Sequence, residues 1–106
     1  MGVTVYQKLV RDNIPEIMEK TGAKAVIRRL PAREYQAALN RKLLEEANEY
    51  LDAEDAEELA DLLEAIHAIL ALKGMEFSAL EDIRLRKRSR RGGFEKRIFL
   101  ESVNAE

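Results

Sequence analysis

Two groups of carboxylates in the sequence stand at helical spacing: Glu45-Glu46-x-x-Glu49 and, a short way on, Glu58-x-x-Asp61. Residues three or four apart share one face of a helix, so each group can bring two or more carboxylates to one point. Several carboxylates in one cleft repel and raise each other's pKa. A hard divalent cation, Mg²⁺ or Mn²⁺, removes that repulsion and prefers oxygen ligands. Spacing alone leaves a second reading open, a highly charged helical hairpin with solvated acids. A complementary block follows: residues 84–97 hold eight bases and one acid. Within it Arg84, Lys87 and Arg91 share a helical stripe with Arg88 beside it, suited to phosphates or simply to a helix C-terminus. Lys8 and Arg11, near the start, are further candidates for phosphate or partner-subunit contacts, or ordinary surface charges ahead of a helix.

The elements that must position these groups follow from periodicity. Asp12 or Asn13 caps a short first helix that accommodates Pro15 in its first turn and stops at Gly22. Residues 25–30 (AVIRRL) read as a short strand ended by Pro31. A second helix is expected over about 32–51, with Tyr35, Leu39, Leu43, Ala47 and Tyr50 as its apolar stripe and Leu44 and Leu51 alongside. Asp52 or Asp55 opens a third helix that runs to Lys73 and stops at Gly74. Its apolar face is wide: Leu59, Leu62, Leu63, Ile66, Ile69 and Leu70. Ser78 and Glu81 have capping-box spacing for a fourth helix ended by Gly92-Gly93. Residues 94–103 read as a strand that pairs with 25–30.

At about 100° per residue, Glu46 and Glu49 lie along one edge of the second helix's apolar face. Glu58 and Asp61 lie along one edge of the third, continued by the small Ala65 and Ala68. Antiparallel packing across the intervening turn lets the two edges converge.

Composition narrows the function classes. A chain of 106 residues makes one domain, residues 1–106. It has no Cys, which excludes thiolate metal sites and cysteine nucleophiles. The formal net charge of −2 argues against a nucleic-acid-binding protein. No apolar run approaches the roughly eighteen residues of a membrane span, and no signal peptide fits, so a cytoplasmic protein is expected. Glu64-x-x-His67 is half of a di-iron motif that needs a second copy, and His67 is the sole histidine; it reads as a packed or partner-facing residue.

The paired acidic motifs resemble the signature of the all-α nucleoside triphosphate pyrophosphohydrolases: the MazG-like enzymes, phosphoribosyl-ATP pyrophosphohydrolase and the dimeric dUTPases. Lys8-Leu9-Val10-Arg11-Asp12 with Ile14-Pro15, and Arg91-Gly92-Gly93-Phe94, are similar to the flanking motifs of a phosphoribosyl-ATP pyrophosphohydrolase-like subgroup. The resemblance covers roughly residues 6–100. With the periodicities it implies an all-α four-helix bundle with a minor two-stranded β element, 25–30 with 94–103. It further implies Mg²⁺ (Mn²⁺ as substitute) held by Glu46, Glu49, Glu58 and Asp61. Glu45 and Glu46 would serve catalysis, Glu45 by binding metal or orienting the attacking water. A nucleoside triphosphate would be cut between its α and β phosphates, releasing pyrophosphate, with Arg84, Lys87, Arg91, Arg11 and Lys8 as phosphate contacts. House-cleaning of non-standard nucleotides fits this expectation; a phosphoribosyl-ATP step of histidine biosynthesis and a non-enzymatic helical interaction module are the alternatives. The wide apolar face of the third helix on so short a chain also predicts a homodimer or a dimer of dimers.

Overall fold

The computed structural model describes residues 2–104. The chain is all-α, with helices α1 (Ile14–Lys20), α2 (Ala32–Ala53), α3 (Ala56–Lys73) and α4 (Phe77–Arg91). It forms two compact units, one ending at Gly74 and the other starting at Met75.

In the first unit, α1 starts after Asn13 with Pro15 in its first turn, where a missing N–H breaks no helical bond. It ends in a Schellman motif: Ala23 N–H donates to Met18 O at 3.3 Å and Gly22 N–H to Glu19 O at 3.0 Å. Gly22 takes the left-handed φ of +94° that this motif requires. α2 extends two residues beyond its expected end, to Ala53, so Asp52 lies inside α2 and Asp55 is the cap of α3. The connection is Glu54-Asp55 alone. Glu54 is left-handed, φ +52°, and its N–H closes onto Tyr50 O at 2.6 Å. Asp55 Oδ1 accepts from Glu57 N–H at 3.3 Å, satisfying one of the free donors at the α3 N-terminus. So short a link folds α3 back antiparallel along α2, and the two helices pack on each other.

Ala38 and Leu39 of α2, with Ala65 and Leu70 of α3, are the buried apolar residues among those described. Burying a leucine contributes about 1.5–3 kcal/mol, so this core stabilises the hairpin modestly. Leu43, Ala47, Leu62 and Ile66 are half-buried along the same seam. Leu44, Leu51, Leu59 and Leu63 are exposed, Leu51 by 70%.

In the second unit, α4 starts two residues earlier than Ser78 and Glu81 suggest. Glu76 is its N-cap residue, without a side-chain bond, and Glu81 pairs with Arg84 instead of reaching back to the helix start. A charge-assisted bond to a guanidinium outcompetes a neutral N–H for that carboxylate. Beyond Glu81 every residue of α4 is exposed.

The expected β element does not form: among the described residues there is no strand. In 94–103 a turn bond from Arg97 N–H to Phe94 O at 3.0 Å, and a left-handed Arg97 at φ +57°, interrupt the extended run. Val26 and Ile27 in 25–30 stand exposed. β-branched residues favour a strand only where a partner takes up its backbone hydrogen bonds. Among the described residues no helix is long and apolar enough to cross a membrane.

Candidate metal centre

The α2–α3 hairpin brings Glu46 and Glu49 of α2 together with Glu58 and Asp61 of α3. One carboxylate oxygen from each lies within 4.8 Å of the other three. The i,i+3 spacing supplies two acids per helix, and the two-residue link sets the helices in the register at which the pairs face each other. Glu46 is the most buried of the four, only 5% exposed. Glu58 and Asp61 are half-buried and Glu49 is exposed, so the group opens to solvent on one side.

Two oxygens in this group lack what buried polar atoms normally have. Glu46 Oε2 and Glu58 Oε2 are shielded from solvent without a hydrogen-bond donor. Burying an acceptor unsatisfied is costly, and more so for a charged one. Glu58 registers that cost: burial first, then the charge of Glu49 and a hydrogen bond shared with it, then Asp61 and Glu46, hold its pKa above the usual glutamate value. An all-oxygen donor set with bare, crowded carboxylates fits a hard divalent cation and suits soft metals poorly. His67 is not a member of the group; it sits on an exposed position of α3.

Three cations stand on Glu45 and on members of the four-acid group. Arg11 donates to Asp61 Oδ1 at 2.7 Å. Lys8 pairs with Glu45 Oε1 at 3.1 Å. Lys42 Nζ bridges Glu45 Oε2 at 2.6 Å and Glu46 Oε1 at 3.1 Å. Glu45, expected to join the site, thus stands beside the four clustered acids as the carboxylate between two ammonium groups. The Lys42 hydrogen bond, opposed by partial burial and reinforced by Lys8, holds its pKa below the usual glutamate value. Partial burial works against the Lys42 ammonium, but its bonds to Glu45 and Glu46 outweigh that and raise its pKa.

No family model, curated protein or solved structure matches the chain. The likeness to the pyrophosphohydrolases therefore rests on the motif residues themselves.

Lys42 is the site residue that reading the sequence missed. The signal was present, a base three and four residues ahead of Glu45 and Glu46, but it stands just outside the block of acids whose pattern points to metal. Arg84, Lys87 and Arg91 belong to the second unit. There Arg84 is bonded through Nε to Glu81 Oε1 and Oε2, at 3.1 and 3.0 Å, and Arg88 pairs with Glu95. The Arg88–Glu95 pair closes over Gly93, and Arg88, Arg91 and Lys96 line a cavity of about 450 Å³ there.

Proposed function

We propose that the protein is a Mg²⁺-dependent nucleoside triphosphate pyrophosphohydrolase, with Mn²⁺ able to substitute, acting in the cytoplasm on non-standard nucleotides. Water adds across the bond between the α and β phosphates, and the products are the nucleoside monophosphate and pyrophosphate. The observation that carries this reading is the four-carboxylate group with its two bare, buried oxygens. Glu46, Glu49, Glu58 and Asp61 are the residues that would hold the cation. When bound, a divalent cation draws charge from phosphoryl oxygens and lowers the pKa of water. Phosphoryl transfer otherwise asks the protein for positioning and electrostatic stabilisation. Glu45, kept ionised by Lys42 and Lys8, is an acceptor that can orient the attacking water. Arg11 and Lys8, already at the edge of the acidic group, supply positive charge where phosphates arrive. Arg84, Lys87 and Arg91, on the separate second unit, are the further phosphate contacts that the resemblance implies.

The working form is a homodimer or a dimer of dimers. Leu44, Leu51, Leu59 and Leu63 are exposed on the same hairpin that carries the acids, and a second copy is the partner that a two-fold axis offers such a face.

A panel of nucleoside and deoxynucleoside triphosphates and modified nucleotides, incubated with Mg²⁺ and assayed for pyrophosphate, tests the reaction. Release of inorganic phosphate with a diphosphate product would overturn it. A chain that neither binds Mg²⁺ nor turns over any nucleotide would be the helical interaction module.

A further inference from the structure

Lys42 has no part in the motifs that point to metal chemistry, yet its ammonium touches the one cation ligand that is nearly closed to solvent. The Glu46 side chain is 7% exposed. Of its two oxygens, Oε1 faces Lys42 Nζ at 3.1 Å, and Oε2 has no hydrogen-bond partner at all. The same ammonium takes Glu45 Oε2 at 2.6 Å. All three residues lie within about one turn of α2, so the backbone fixes their spacing.

We infer that Lys42 is a positioning residue of the metal centre: it pins one oxygen of the Glu46 carboxylate and so presents the other, bare and shielded from water, to the cation. The inference rests on reading the four carboxylates as a metal centre, and it adds a second layer to that centre. A carboxylate free at both oxygens would turn about its terminal torsion, which is broad and soft. One oxygen held by an ammonium removes that freedom. Partners of this kind orient the ligands of metal sites, and their loss typically weakens binding about 10–100-fold.

The sign of the effect separates positioning from charge balance. A positive charge so close to a ligand repels an incoming cation. If Lys42 served only to neutralise Glu45 and Glu46, removing it would tighten metal binding. If it positions Glu46, removing it loosens metal binding in spite of the charge.

The test is calorimetric titration of the full chain with Mn²⁺ and with Mg²⁺, for wild type, Lys42→Met and Lys42→Arg, with circular dichroism to confirm the helices. The expected result is an affinity about 10–100-fold weaker in Lys42→Met, with most of the loss recovered in Lys42→Arg, which keeps the donor. Equal or tighter binding in Lys42→Met overturns the inference. Should that variant fail to fold, Lys42→Gln carries the same comparison: weaker binding supports the positioning role, and equal or tighter binding overturns it. A wild-type chain that binds neither cation overturns the metal-centre reading, and this inference with it. Binding that is sound in wild type and unchanged in Lys42→Met overturns this inference alone.

Discussion

Arg11 reaches across 50 positions of sequence to donate to Asp61 Oδ1 at 2.7 Å. The contact ties the segment before α1 to the α2–α3 hairpin, and it places a guanidinium on one of the four clustered carboxylates. Both partners are about half exposed. In such a setting an ion pair contributes only about 0.2–1 kcal/mol to stability. The value of the contact lies in where it holds the arginine.

Arg11→Ala is therefore expected to melt within a few degrees of wild type while its KM for the triphosphate rises about tenfold, the scale of one lost charge-assisted contact. Paired melting curves and steady-state kinetics check this. A large fall in melting temperature with KM unchanged would make the arginine structural.

Asp61→Asn keeps the shape of the side chain and removes one negative charge from the four-carboxylate group. Helical content should stay at the wild-type level, while turnover falls by at least about 100-fold, as when an enzyme loses one preorganised charge-stabilising group. Wild-type turnover would remove Asp61 from the site.

Glu58 gives the protein a dependence on pH. Its pKa is raised by burial and by Glu49, so the folded chain holds this proton more tightly than the unfolded chain. Its contribution to stability is then greatest in acid and falls as pH rises from the ordinary glutamate range through the raised value. Glu45 runs the other way. Lowered by Lys42, it contributes above the ordinary glutamate pKa and loses that contribution as pH falls through the lowered value. Glu58→Gln removes the first effect and keeps a donor toward Glu49. Without metal, it should melt a few degrees above wild type at about pH 8 and level with it near pH 4. A difference independent of pH would count against the assignment.

The two glycines after α4 should respond differently to alanine. Gly92 has φ +84° and ψ 176°, a region that is essentially glycine's alone, so Gly92→Ala should destabilise the second unit by about 1–3 kcal/mol. Gly93 has no such φ, and a methyl there meets only the ends of the Arg88 and Glu95 side chains, which can move. Hydrogen exchange at the end of α4 should rise in the first variant and hold in the second.

Light scattering at micromolar concentration should report at least twice the 12.1 kDa chain mass. A monomer that still turns over substrate would show that the exposed leucines of α2 and α3 have no second copy to cover them.

The residues explain what reading the sequence reached. Helix geometry is rigid, so Glu46 with Glu49, and Glu58 with Asp61, could be placed from spacing alone, and Gly22, Asp55 and Gly74 marked boundaries by chemistry that acts locally. The β pairing failed because a strand needs a partner, which no local pattern can guarantee. Arg97 shows the same limit: a left-handed residue inside a stretch that reads as a strand carries no marker in its type. Lys42 was missed for a different reason. Its role depends on which oxygen of Glu46 it faces, and spacing carries no information at that scale.

The Glu54-Asp55 link also bears on how the molecule comes into being. All four clustered carboxylates fall between positions 46 and 61, so closing the loop that gathers them sacrifices little chain entropy. Contacts so near in sequence form early and fast. The acidic group can thus be complete as soon as the hairpin is free of the ribosome, without waiting for α4 to fold. The same economy leaves little slack: one extra residue in so short a link changes the register at which α3 packs on α2, and the two pairs of carboxylates no longer face each other.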